Sequence, residues 1–351
     1  MPTHHPEFHF TRPGELIAGL PAVLGFVPEK SLVLVSLDEG RIGAVMRADL
    51  SADLADNAER LADLVATSAP DAAVVVIVDE DGALCPMCVA DHRELCDVLT
   101  AALGEHGVIL HGAHVVDRVE AGGRWHCIDG CGACGLVEDP TASPLAAAAV
   151  LDGRRLYGRR SELHAVIEAV DPCRAAGLVE PIRAADAARS GQWHTDPDSR
   201  GRRDVEMAIE VAARVLEGAE PAEAEIIAIA CGLTDVAVRD TLYALAVGAE
   251  AAAAEALWAL LARTLPDPWR VEALVLLAFS AYARGDGPLA GICLEAALRI
   301  DPEHRMAGML DTALQSGMRP EQIRELTGTG YRLAKRLGVR LPPRRTFGRA
   351  G

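Results

Sequence analysis

The chain has 351 residues, half of them hydrophobic, only 4% aromatic, with a formal net charge of −17. That length exceeds one ordinary core and fits two domains at roughly 100–200 residues each, and so acidic a chain argues against a nucleic-acid partner, because phosphates repel it. No stretch supplies the ~20 apolar residues that span a bilayer, and Met1–Phe10 (MPTHHPEFHF) has neither the basic start nor the apolar run of a secretory signal. The expectation is a cytoplasmic protein without membrane contact, whose nine cysteines are thiols or metal ligands rather than disulfides.

Ser31–Leu37 (SLVLVSL) and Ile42–Leu50 (IGAVMRADL) are strand-like runs joined by Asp38-Glu39-Gly40-Arg41, which predicts an antiparallel hairpin. Between Asp53 and Ser68, Leu54, Ala58, Leu61, Leu64 and Val65 recur at helical spacing. Ala72–Val78 (AAVVVIV) is an unbroken apolar run, the pattern of a strand buried on both faces. Asp91 and Glu94 form a capping signal for a helix reaching Gly104. Val108–Val119 reads as the next strand, and Glu120-Ala-Gly-Gly123 turns the chain back into Arg124–Ile128. The first part is therefore an α/β domain, a mixed sheet of about five strands with flanking helices.

From Ser143 the pattern is helical, with helices predicted at 143–151, 160–170, 175–189 and 203–217. The polar segment Ser190–Arg203 (SGQWHTDPDSRGRR) is the candidate boundary, giving an α/β domain over 1–190, an all-α domain over 203–340 and a basic tail over 341–351. Asp267-Pro268 and Asp301-Pro302 lie 34 residues apart, the length of a tetratricopeptide repeat. Units 237–270 and 271–304 align on those prolines, two imperfect repeats that read as a repeat-like helical domain leaning on its neighbours rather than as a peptide-binding array, with a protein partner through this domain as a further expectation.

Several sequence blocks resemble one family. Leu20-Pro-Ala-Val-Leu-Gly-Phe26, Met46-Arg-Ala-Asp-Leu50, Arg124-Trp-His-Cys127 with the cysteines after it, Ala142-Ser-Pro-Leu-Ala146, Leu233-Thr-Asp-Val-Ala-Val-Arg-Asp240 and Gly285-Asp-Gly-Pro-Leu289 together resemble the actinobacterial domain-of-unknown-function 4192 family. The resemblance covers roughly residues 13–340. It implies an intracellular protein without an established activity, in which the Cys85/Cys88 pair marks a subgroup.

The residues whose spacing suggests chemistry are five cysteines in two clusters, Cys85-Pro-Met-Cys88 and Cys127-Ile-Asp-Gly-Cys131-Gly-Ala-Cys134. Three readings remain open. Zinc needs four tetrahedral ligands and Cys-x-x-Cys knuckles supply two each, so Cys85, Cys88, Cys131 and Cys134, with Cys127 as alternative, are candidate ligands of a structural zinc ion. His126 and His92 are possible replacements for one thiol. Alternatively, strand, Cys-x-x-Cys and helix in that order suggest a thiol-disulfide enzyme or sensor using Cys85 and Cys88, although the predicted cap at Asp91 leaves the pair ahead of the helix. The third reading is reduced thiols without a common site. Cys96, Cys173, Cys231 and Cys293 lie in helical apolar patterns and are expected to be small core residues.

Nothing else names a reaction. Phosphate-binding, nucleophile-elbow and His-Glu-x-x-His motifs are missing from the sequence. Arg47 and Asp49, two apart on a predicted strand, share a face and read as a structural ion pair. The GRRLYGRR segment around Tyr157 and the acid-free stretch from Tyr331 to Gly351 read as solvated basic surface.

Overall fold

The computed structural model describes residues 12–38, 40–51, 53–67, 69–151, 156–191 and 197–344. Residues 345–351 of the basic tail, and Arg154 and Arg155 of the GRRLYGRR segment, lie outside them. The chain divides into two compact units, one reaching Arg160 and one beginning at Ser161.

In the first unit, helix α1 (Pro13–Leu24) precedes the hairpin β1 (Ser31–Asp38) and β2 (Arg41–Asp49). Helix α2 (Ala58–Ala66), strand β3 (Ala72–Val78), helix α3 (Pro86–Glu105) and strand β4 (Ile109–Val116) follow. Strands β5 (Arg124–Cys127) and β6 (Cys134–Leu136) and helix α4 (Pro144–Leu151) complete it. The six strands form one mixed sheet in the order β2-β1-β3-β4-β5-β6, one strand more than the sequence suggested. Strand β6 has only three residues, too few to show an alternating pattern.

Strands β3 and β4 run parallel, and every other neighbouring pair is antiparallel. A parallel pair needs a crossover, which α3 provides. On one face, Leu32, Leu34, Ala73, Val75, Ile77, Ala113 and Val115 pack against Ala62 and Val65 of α2 and Leu99 and Leu103 of α3. On the reverse face Val33, Val35, Val74 and Val76 are equally buried. There Trp125 packs beside Gly14 of α1, where a Cβ would come within 3.2 Å of the indole nitrogen. Burial on both faces explains why β3 is apolar throughout instead of alternating.

Arg47 and Asp49 form the ion pair expected of them, Arg47 also donating to Ser31 Oγ at 2.8 Å and Asp49 meeting Arg160 at 3.4 Å. Arg159 of the GRRLYGRR segment is likewise paired, with Glu29 at 3.6 Å. These cations neutralise nearby acids.

The second unit is helical: α5 (Arg160–Ala165, straddling the division), α6 (Pro172–Gly191), α7 (Pro197–Leu216), α8 (Glu223–Leu233), α9 (Val236–Leu242), α10 (Ala251–Thr264), α11 (Arg270–Ala283), α12 (Gly287–Ile300), α13 (Arg305–Gln315) and α14 (Pro320–Leu337). The division falls before α6 rather than at Ser190–Arg203, because α6 packs among these helices. Cys231 Sγ of α8 lies 3.6 Å from the Ile182 carbonyl, and Arg189 pairs with Asp204 of α7 at 2.7 Å. Unit 271–304 is a helix pair, α11 and α12, whereas 237–270 is divided among α9, a 3-10 segment at Tyr243–Val247 and α10. The 34-residue period therefore corresponds to a regular helix pair only once. Cys231 and Cys293 are fully buried and Cys96 nearly so, but Cys173, expected in the core, is exposed in the first turn of α6. Among the described residues no helix is long and apolar enough to cross a membrane.

Leu99 is 0% exposed at the centre of the core between sheet and helices. Leu99→Ala is expected to destabilise the protein by about 2–5 kcal/mol through lost burial and a residual cavity, read as a lower urea midpoint at unchanged slope.

Candidate functional site

The first cysteine pair sits where the crossover begins. The sequence predicts a helix capped by Asp91, but α3 starts at Pro86, with Cys85 as N-cap and Cys88 in the first turn. The reason is Pro86: its fixed φ and missing N–H suit the first helical position, which overrides the weaker capping signal at Asp91. The Cys85 side chain makes no capping hydrogen bond. Even so, the backbone amides of Cys88 and Met87 and the thiol of Cys88 favour its thiolate and pull its pKa down. Cys88 moves the other way, because its proton is shared with Cys85 and because burial, Asp79 and Asp91 disfavour its charge. The two sulfurs thus form one coupled pair with divided roles.

Asp79, immediately after β3, is almost fully buried beside this pair. A Cβ on Gly82 would lie 1.9 Å from Asp79 Oδ2 and 3.1 Å from Cys88 Cβ, so the carboxylate and Cys88 flank that glycine and no larger residue fits. Lys30, one of only two lysines in the chain, donates to Asp79 Oδ1 at 2.6 Å and reaches Asp81 at 2.9 Å. Its backbone holds a positive φ of 43°, a conformation that L-residues rarely adopt. Burial raises the Asp79 pKa, but the hydrogen bonds from Lys30 and the Gly82 amide outweigh it and the net shift is downward. His92, one turn beyond Cys88 on α3, directs Nε2 toward Asp79 Oδ2 at 3.3 Å, and its buried Nδ1 has no partner.

The second cluster lies at the β5–β6 hairpin. Side chains alternate along a strand. His126 is opposite Val115 and Ile128 is buried in the core against α3, so Trp125 and Cys127 take the other face. The ring contact between Trp125 and His114, which is opposite Cys127, fits that assignment. Cys134 is opposite His126 and is exposed.

In the loop, Cys127 donates to Asp129 Oδ1 at 2.9 Å, and the same oxygen accepts the Cys131 amide at 3.1 Å. Gly130 and Gly132 take positive φ, which lets the loop fold around the carboxylate. Cys127 Sγ, an Asp129 carboxylate oxygen and Cys131 Sγ all lie within 4.8 Å of one another, the one such triad among the described residues. Burial, with Asp129 and Cys131, pushes the Cys127 thiol up to about 12, while the Cys127 thiol and Cys131 amide hold Asp129 below the usual carboxylate range.

The structure therefore joins Cys85 with Cys88 and Cys127 with Cys131. It does not place the two pairs in one ligand group, and it leaves Cys134 outside the triad. Sequence reasoning overlooked Asp129 and Asp79. An aspartate two residues before Cys131 and followed by glycine is an Asx-turn signal that points to the first. Nothing in the sequence marks the second, because its role depends on Lys30 and His92 arriving from other elements.

Fold and site together define a mixed-sheet α/β unit with a cysteine pair at the start of α3 and a Cys-Asp-Cys triad at the β5–β6 hairpin, followed by a helical unit. The chain belongs to the family described as Domain of unknown function (DUF4192), whose model matches residues 13–321. No curated protein and no solved structure matched it.

Three histidines of the first unit, His92, His114 and His126, have pKa values lowered by burial from a usual 6.5. A base with a depressed folded pKa contributes stability that is present above its unfolded pKa and lost as the pH falls. The urea midpoint is expected to hold above about pH 6.5 and to drop as the pH falls below it, and His92→Gln with His126→Gln should flatten that drop. An unchanged acid limb in the double variant would contradict this assignment.

Proposed function

We propose that this protein is a regulatory or protein-interaction module whose first unit carries a structural zinc ion, held in the β5–β6 loop by Cys127, Asp129 and Cys131. The observation that supports it is the convergence of those three donors within 4.8 Å. Zn–S bonds of about 2.3 Å and Zn–O bonds of about 2.0–2.2 Å put neighbouring tetrahedral ligands roughly 3.5–3.8 Å apart, so the loop needs little rearrangement. Cys134, three residues after Cys131, stands opposite His126 and so on the face away from Cys127, which leaves a water molecule as the fourth ligand in this exposed loop.

Binding displaces the Cys127 proton. Burial and Asp129 hold that proton tightly, so affinity is expected to rise with pH as the thiol is more easily exchanged for metal. The ion would pin β6 to β5, the outermost pairing of the sheet, and β6 is only three residues long. The helical unit, with its α11–α12 pair, is the surface offered to a protein partner in this reading, and the net charge of −17 disfavours a nucleic acid there.

Metal analysis of the untagged protein is expected to give about one zinc per chain, falling below about 0.2 in Cys127→Ser/Cys131→Ser. Asp129→Asn should weaken binding at least about tenfold, read by competition with a chromogenic chelator. A zinc content that is negligible in the parent, or unchanged in the double variant, would sink the proposal.

A further inference from the structure

The pair Cys85/Cys88 stays outside the zinc loop, and its surroundings are those of a reacting centre. The two thiols occupy the N-cap and the third helical position of a 20-residue helix, positions that share a face. The positive end of the helix dipole stabilises a thiolate there. Beside them lies the chain Lys30, Asp79, His92, in which Asp79 is almost fully buried and His92 is nine-tenths buried with Nδ1 unsatisfied. Around them two large apolar side chains stand in solvent, Leu84 at 72% and Met87 at 78% exposure. Apolar side chains bracketing a thiol pair fit a polypeptide better than a small polar disulfide.

We propose that Cys85 and Cys88 form a redox-active dithiol that reduces a disulfide in a polypeptide partner, with the hydrogen-bonded Asp79–His92 pair receiving the proton of Cys88. The Cys85 thiolate attacks one sulfur of the partner's disulfide, forming a mixed disulfide and expelling the other sulfur as a thiolate, which takes up a proton. Cys88 then passes its proton to the Asp79–His92 pair, whose carboxylate flanks Gly82 together with Cys88, and its sulfur attacks Cys85, breaking the mixed disulfide. The second partner sulfur leaves as a thiolate and takes the proton from that pair. Two thiols of this chain become one disulfide, and one disulfide of the partner becomes two thiols, so electrons and protons balance. Asp79 stabilises the imidazolium while it lasts, as a carboxylate does for a histidine base. Burial holds His92 neutral at rest, ready to accept.

The test uses the full chain with insulin as polypeptide disulfide, oxidised glutathione as small disulfide and dithiothreitol as terminal reductant. Peptide mapping after oxidised glutathione should find a Cys85–Cys88 disulfide, and insulin reduction should exceed the uncatalysed rate and vanish in Cys85→Ser. Cys88→Ser should arrest as a mixed disulfide on Cys85. His92→Gln should leave formation of that mixed disulfide unchanged while slowing its resolution at least about tenfold, a split that a merely structural loss does not produce. Leu84→Ser/Met87→Ser should lower the rate with insulin but not with glutathione. The same disulfide forming in Cys127→Ser/Cys131→Ser separates this centre from the zinc loop. Absence of the Cys85–Cys88 disulfide at every glutathione ratio, failure of Cys88→Ser to trap a partner, or equal slowing of both steps in His92→Gln would overturn the proposal.

Discussion

The parallel pairing of β3 with β4 is the constraint on which the first unit depends. Two parallel strands cannot be joined by a tight turn, so the chain must leave the end of β3, cross one face and return. That crossover is α3, and its first turn lies beyond the carboxyl end of β3. Cys85, Cys88, Asp79 and His92 are close because one strand end and one helix start meet there. Removing the parallel pair would remove the site as well as the sheet.

The two cysteine centres show how one side-chain type acquires opposite properties from its surroundings. At the start of α3, amides and a neighbouring thiol favour the Cys85 thiolate. At the hairpin, burial and a carboxylate that accepts a hydrogen bond from its thiol keep Cys127 protonated. The first arrangement suits a nucleophile, the second a donor that gives up its proton only to a cation. Cys96, Cys231 and Cys293 form a third class, small apolar side chains whose thiols burial holds neutral. Nine cysteines in one chain therefore do not share one role.

Much of the fold was legible because its strands carry strong local signals. Ser31–Leu37, Ile42–Leu50 and Ala72–Val78 correspond to β1, β2 and β3 with end shifts of one residue, since β-branched apolar runs bounded by turns have few alternatives. The cap of α3 was misplaced by six residues, at Asp91 instead of Cys85, where proline geometry prevailed over a side-chain cap. Helix α1 and strand β6 were not singled out. Gly14 and Pro21 blur the helical pattern of the first, and the second exists because β5 offers it a partner. The five cysteines were found by spacing alone, but the residues that tune them were not.

What the sequence determined by itself was the class of architecture, an acidic α/β unit followed by helices, and the identity of the thiols on which any chemistry rests. Periodicity and spacing are local properties, and a single chain displays them in full. Only the tertiary structure decided which thiols are neighbours, that Cys127 and α3 take opposite faces of the sheet, and that Lys30, Asp79 and His92 converge beside Cys88. Those facts depend on strand register and on a crossover that joins residues up to 62 positions apart, from Lys30 to His92, and no local pattern encodes such a distance.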